Sequence, residues 1–324
     1  MNTINLTIII LSAMLMHASE VFARDVPIHG KSSVHFASLD EAAAIVTAQD
    51  QFIEHLSRFD LQSRMKTDRE VTKADYLKFV AQEVVAWERG DVDKVTAVIE
   101  SIRDRLEGFR IPFPDTIQLV KSTGKEEGDA AYCRGTSIVL PVRMIQKSRH
   151  DLERLLIHEL FHIASRHSPD FRRRMYAIIG FKPCKEIEFP KTLSDRRITN
   201  PDSPTIDYYI ELEINGKATK AVPILYSSTK QYDAKAGQPF FRYLVFRMMV
   251  VEKNGDKWQA VERDKVAVVF DPKKLPAYFE KIGKNTNYVI HPDEILADNF
   301  VHLVTATEPL ATPRIIEQMR KLSE

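Results

Sequence analysis

Residues 158–162 read His-Glu-Leu-Phe-His, two imidazoles and a carboxylate within five positions. On a helix, residues four apart stand one above the other on the same face. Both rings can therefore present a nitrogen to one tetrahedral zinc ion, which is the chemistry that HExxH spacing allows. Glu159, beside His158, is placed to take a proton from water that such a metal activates. Leu152, Leu155, Leu156, Ile157, Leu160, Phe161, Ile163 and Ala164 cover most of the helix circumference, so the helix should be buried. Two histidines and a glutamate in such a place are costly unless something pairs them, and a metal would pair all three. The plainer alternative is a pair of satisfied core or cleft histidines, with Glu159 turned to solvent.

In this motif, the strand before it and the elements after it, the chain resembles the zincin metallopeptidases. Catalytic zinc sites of that kind use three protein ligands and leave a fourth position for water. The metzincin extension, HExxHxxGxxH, does not fit, because Ser165 and Ser168 stand where the glycine and the third histidine belong, and His167 is one position short. The gluzincin pattern takes a glutamate from a later helix, as ExxxD. Glu252 and Asp256 have that spacing but straddle the turn signal Asn254-Gly255. Glu294 and Asp298 follow Pro292, a residue suited to a first helical turn, and their spacing puts both carboxylates on one face. The resemblance implies that Glu294 is the third zinc ligand. It implies that Asp298 accepts a hydrogen bond from a ligating imidazole and so fixes that ring's tautomer. It also implies that a strand ahead of the helix receives extended substrate at the sheet edge. Residues 137–141 (Ser-Ile-Val-Leu-Pro) are the candidate, with an ordinary sheet strand as the alternative. For Glu294, Asp298 and His302 the alternative is the polar stripe of an amphipathic helix packed through Leu296, Phe300, Leu303 and Val304. Tyr288, Tyr226, Tyr132 and His302 are all candidates to face a developing oxyanion, and the sequence does not choose among them. Residues 199–204 (Thr-Asn-Pro-Asp-Ser-Pro) have the composition of a turn cluster, which favours a structural role.

The elements that must position these groups are also legible. Residues 39–108 read as helices, opened by the capping-box patterns Ser38/Glu41 and Thr72/Asp75, with Gly90 and Gly108 as C-terminal caps of the next two runs. Ser148 and Asp151 open the helix that carries the motif, and Pro169 limits its far end. Residues 206–270 are β in pattern, with Asn215-Gly216 and Asn254-Gly255 as hairpin signals, and the apolar run 240–251 indicates that this part packs on the rest. Helices return at Pro292 and over residues 313–322.

The chain has 324 residues, 44% of them hydrophobic and 28% charged, the balance of an ordinary globular protein. Residues 6–16 form an apolar run too short to span a bilayer, followed by Val21-Phe22-Ala23, a small-x-small pattern ending before Arg24. This is read as a cleaved signal peptide, although no Lys or Arg precedes the run. Its removal takes away one acid, Glu20, and no base, leaving 46 bases, 44 acids and a formal charge of +2. That excludes an electrostatic case for nucleic acid or an anionic membrane as partner. Cys133 and Cys184 flank the motif; in an oxidising compartment they either form one bridge or remain two thiols.

The expectation is an α+β protein with a zincin-like catalytic core: signal peptide 1–23, N-terminal helical region 24–125, catalytic core 126–205, β-rich antiparallel insertion 206–270, and C-terminal helical region 271–324 completing the metal site. The expected function is that of a periplasmic or secreted Zn2+-dependent metallopeptidase. It would act on a peptide or protein substrate, with no stable membrane span after signal cleavage. Its rivals are a non-catalytic exported zinc-containing binding protein and a zinc hydrolase acting on non-protein amide linkages, such as cell-wall cross-links.

Overall fold

The computed structural model describes residues 25–324; the expected signal peptide and Arg24 lie outside them. The chain opens with β1 (Asp25–His29) and β2 (Ser32–Phe36), an antiparallel pair turning at Gly30. Next come α1 (Leu39–Val46), α2 (Gln51–His55), α3 (Arg58–Arg64), α4 (Lys73–Gln82) and α5 (Arg89–Arg105). The boxes Ser38/Glu41 and Thr72/Asp75 cap α1 and α4. Then β3 (Thr116–Ser122), β4 (Tyr132–Arg134) and β5 (Ser137–Pro141) complete a sheet of order β1-β2-β3-β5-β4. Strands β2, β3 and β5 are parallel; β1 and β4 run antiparallel at the two edges.

Helices cover both faces of this sheet. Side chains alternate across a strand, so Ile117, Leu119, Ile138 and Leu140 join the main core with α5, while Val120 and Val139 join a second core with α1 and α4.

Three findings correct the sequence reading. The region 24–125 is not purely helical, because β1, β2 and β3 belong to the sheet; Val26, Ile28, Val34 and Phe36 are buried at alternate positions, a strand period. Gly90 does not cap a preceding helix but lies in the first turn of α5. Residues 83–87 are instead drawn out along β3, where Val85 N donates to Lys121 O and Trp87 Nε1 to Leu119 O. Finally, β5 is an interior strand, flanked by β3 and β4 and buried throughout, so it offers no free edge. The edge is β4.

After α6 (Val142–Ile145) comes α7 (Arg149–His167), whose N-cap Ser148 accepts from Asp151 N at 3.1 Å. Ser168 ends α7 and caps α8 (Pro169–Ile178), with Pro169 at its first turn. The second sheet contains β6 (Phe181–Pro183), β7 (Tyr208–Ile214), β8 (Lys217–Ser227), β9 (Leu244–Asn254) and β10 (Lys257–Ala260), antiparallel in the order β10-β9-β8-β7-β6. The small strands β11 (Glu262–Arg263) and β12 (Val266–Ala267) pair together, and β13 (Val269–Phe270) pairs with β9. Asn215 and Gly216, with φ of 53° and 75°, form the two-residue turn between β7 and β8, as a type I′ turn requires. At the other hairpin Asn254 pairs with Lys257, so the turn is Gly255-Asp256, one residue later than expected. Ile210, Leu212, Ala221 and Met248 pack this sheet onto the main core, while Val222, Ile224, Met249 and Val251 build a cluster on its other face.

The chain ends with α9 (Pro276–Ile282), α10 (Pro292–Thr305) and α11 (Pro313–Ser323). Helix α10 lies against α7 and α11, sealed by Ile295, Leu296, Phe300, Val301 and Leu303. Within the described residues the architecture is mixed α and β, and no helix there is long and apolar enough to cross a membrane.

Candidate metal centre

The site forms where α7 and α10 face each other. Residues 158–162 lie mid-helix in α7, with Glu159 and His162 buried and the His158 side chain 13% exposed. Pro292 starts α10, and His291 caps it by accepting from Asp293 N at 3.1 Å. Asp293 and Glu294 fall in the first turn, where free N–H groups favour negative side chains.

Glu294 Oε2 lies 3.1 Å from His158 Nε2 and 3.5 Å from His162 Nε2. One donor atom from each of these three residues lies within 4.8 Å of the other two. The far nitrogens of both rings are held by carboxylates. His158 Nδ1 donates to Asp298 Oδ1 at 2.9 Å, and His162 Nδ1 donates to Asp293 Oδ2 at 2.7 Å. With Nδ1 donating, each ring turns Nε2 towards Glu294. The Glu294 carboxylate is fixed in turn, because Asn200 Nδ2 donates to its Oε1 at 2.6 Å. His162 Nε2 is buried and has no hydrogen-bond partner. Two imidazole nitrogens and a carboxylate oxygen are the donor set of a catalytic zinc site. Carboxylates on the outer nitrogens supply the orientation that such sites need. The residues fit the metal.

The electrostatics agree with this arrangement. Burial works against charge on both imidazoles, yet neighbouring carboxylates outweigh it, raising His158 to about 10 and His162 well above its ordinary value. Glu294, Asp298 and Asp293 are all lowered, because the imidazoles facing them overcome the cost of burial. A metal ion would take the place of protons on those rings.

Glu159 lies on the other side of the motif helix. Its Oε2 accepts from the Cys133 thiol at 3.3 Å, and burial raises its carboxyl. One donor atom each from Cys133, Glu159 and Asp202 lie within 4.8 Å of one another. Burial raises Asp202 to about 8. The thiol of Cys133 is occupied here and Cys184 belongs to the cluster beyond the second sheet, so both cysteines are free and the bridge is not formed.

Of the oxyanion candidates, Tyr288 is the one beside the metal ligands, its ring stacked on His158 at 6.2 Å between centroids. Tyr132 is buried with its hydroxyl at Glu126, 3.5 Å away. Tyr226 lies under Arg196 on β8, and His302 Nε2 pairs with the Asn285 carbonyl. Neither takes part. Glu252 and Asp256 are on the β9–β10 hairpin, outside the site.

Sequence reading missed two participants. Asp293 is a hub: besides His162 it accepts from Ser165 Oγ at 2.6 Å and Tyr176 OH at 2.8 Å. Its signal was present, as an acid next to Glu294 in the same helical turn. The 199–204 loop reaches the site through Asn200 and Asp202, and nothing local in the sequence marks that. Its structural role is also real. Asp60 accepts from Thr199 N and Oγ1, and Arg64 donates to Thr199 O at 2.9 Å, which ties the loop to a buried ion-pair cluster of Asp60, Arg64 and Glu127.

No known protein family, curated protein or solved structure matches this chain.

Proposed function

We propose that this protein is an exported zinc-dependent metallopeptidase with a zincin-like centre, in which His158, His162 and Glu294 hold the metal. The observation that carries the reading is the convergence of His158 Nε2, His162 Nε2 and Glu294, with both Nδ1 atoms already committed to Asp298 and Asp293. A zinc ion bound there would polarise a carbonyl and lower the pKa of water.

The chain's own groups supply the rest. Glu159 accepts a proton from the attacking water as its oxygen adds to the carbonyl carbon. It then delivers that proton to the amide nitrogen as the C–N bond breaks. Burial raises its carboxyl, which suits a group that must both take and return a proton. Tyr288, beside His158, is the donor for the developing oxyanion. Desolvation and the carboxylates of Glu294, Asp202, Glu159 and Asp298 raise its phenol, so it keeps the proton it must donate. Asp298, Asp293 and Asn200 orient the three ligands.

The test separates base from ligand. Glu159→Gln keeps its shape but cannot take the proton, so zinc content should stay at the wild-type level while hydrolysis of a broad peptide library falls by roughly 100–10,000-fold. Loss of zinc in that variant would make Glu159 structural. Unchanged hydrolysis would remove it as base. Zinc binding without hydrolysis by the wild type would leave the non-catalytic binding protein.

A further inference from the structure

The cavity beside the metal centre has a chemistry of its own. It encloses about 420 Å³, counting its open mouth, and Asn200, Asp202 and Tyr288 line it. Asn200 holds Glu294 and Tyr288 stacks on His158, so cavity and centre share walls. The remaining walls are mainly apolar: Ile198, Leu225, Phe240, Phe241, Leu244 and Ile290. Phe241 and Tyr288 are 44% and 40% exposed, two of the few large hydrophobic side chains exposed among the described residues. Phe241 is nonetheless seated. Its ring stacks on Phe240 at 4.1 Å and lies over Gly128, where an added Cβ would meet it at 3.3 Å.

The charged groups at this cavity are already committed. Both oxygens of Glu127 accept from Arg64, at 2.6 and 3.1 Å, and the Arg64 guanidinium stacks over Phe240 at 4.7 Å. Asp202 Oδ1 accepts from Cys133 N at 2.6 Å. The same contact bears on the sheet edge. On β4 the Cys133 N–H is taken by Asp202 and the Cys133 carbonyl by Arg166 at 3.3 Å. An extended chain cannot pair with the edge at that residue without displacing them. Recognition therefore falls on side chains.

We propose that this cavity is the specificity pocket of the site and takes one large apolar or aromatic side chain of a polypeptide substrate, next to the bond to be cleaved. The proposal rests on the metallopeptidase reading and sharpens it. A pocket of this chemistry gives no grip to the small or charged side chains of cell-wall cross-links, and it discriminates against lysine because no carboxylate in it is free. Such pockets select by apolar fit with a few fixed polar groups at one end, here Asn200, Asp202 and Tyr288.

The test uses the full mature chain carrying Glu159→Gln and loaded with zinc, so that the ligands survive. The probes are acetylated tripeptide amides with phenylalanine, glycine or lysine between two alanines, with binding measured by calorimetry or ligand-observed NMR. The phenylalanine peptide should bind at least tenfold more tightly than the other two. Adding Phe241→Ala should weaken it about tenfold, and adding Ala131→Phe, which fills the cavity, should abolish the preference. Phe241 is exposed enough that its truncation leaves the fold intact, which thermal unfolding checks. Equal binding of the three peptides, or an undiminished preference in folded Phe241→Ala, overturns the proposal. Zinc content and wild-type hydrolysis are measured on the same preparations. Zinc and hydrolysis without the preference would sink the pocket and leave the metallopeptidase. The preference without zinc would do the reverse.

Discussion

Asp293 is the position where stability and metal binding should separate most clearly. Its side chain is buried and accepts hydrogen bonds from His162 Nδ1, Ser165 Oγ and Tyr176 OH. Asp293→Ala leaves three buried donors without an acceptor. At about 1–3 kcal/mol each, the full cost would be roughly 3–9 kcal/mol. Water entering the space relieves part of this, so the expected loss is about 3–5 kcal/mol, the range for breaking a buried charged pair. In a chain of this size that lowers Tm by about 10 °C. Zinc affinity should fall separately, by about 10–100-fold, because His162 loses the partner that aims Nε2. Asp293→Asn keeps one acceptor oxygen and should return much of the stability while zinc stays weakened. Asp298→Ala is the contrast. Its side chain is 32% exposed, so it should lose similar affinity at much smaller cost in Tm. The assays are thermal unfolding and zinc titration against a competing chelator, below the melting temperature of every variant. If folded Asp293→Ala binds zinc as tightly as wild type, Asp293 is a packing residue and the orientation argument is wrong.

Two further outcomes follow from the same groups. In chelator-treated protein, His158, raised to about 10, contributes stability that is fully present below about pH 6.5. That contribution fades as pH rises through 10, and His162 acts in the same direction. The lowered carboxyls of Asp293, Asp298 and Glu294 contribute above about pH 4 and lose their contribution as pH falls. Tm of that protein should therefore peak near pH 5–6.5 and decline towards 10. Zinc should bind more tightly as pH rises, releasing protons that appear as a buffer-dependent calorimetric heat; a pH-independent affinity with no proton release would contradict this. Second, Cys133 and Cys184 are both free. Unfolded, unreduced protein should take up two equivalents of alkylating agent, and reduction should leave Tm unchanged, whereas a bridge would be worth about 2–4 kcal/mol.

What could be read from the sequence follows physical range. The 3.6-residue period, Ser148 as cap and Pro169 as limit are local signals, and α7 begins and ends where they put it. Glu294 and Asp298 share a helix face because four-residue spacing is itself local, and both meet His158. The hairpin at Asn215-Gly216 is local too. Strands β1, β2 and β3 were absorbed into a helical region because the register that joins them is set by partners some 80 residues apart. The edge strand was misplaced for a related reason. Three residues of β4 carry no period of their own, while β5 looks like a strand in isolation. Asn200 and Asp202 reach the site because Asp60 and Arg64, about 140 residues earlier, hold Thr199. No pattern within the loop encodes that.

The central claim is that His158, His162 and Glu294 form one zinc site. Elemental analysis of zinc bound per chain, for wild type and Glu294→Ala equilibrated at the same low free zinc, tests it most directly. Wild type should hold one zinc ion per chain. The variant, left with two imidazoles, should hold far less than one while remaining folded. A wild-type chain that binds no zinc, or a Glu294→Ala chain that keeps a full equivalent, would contradict it.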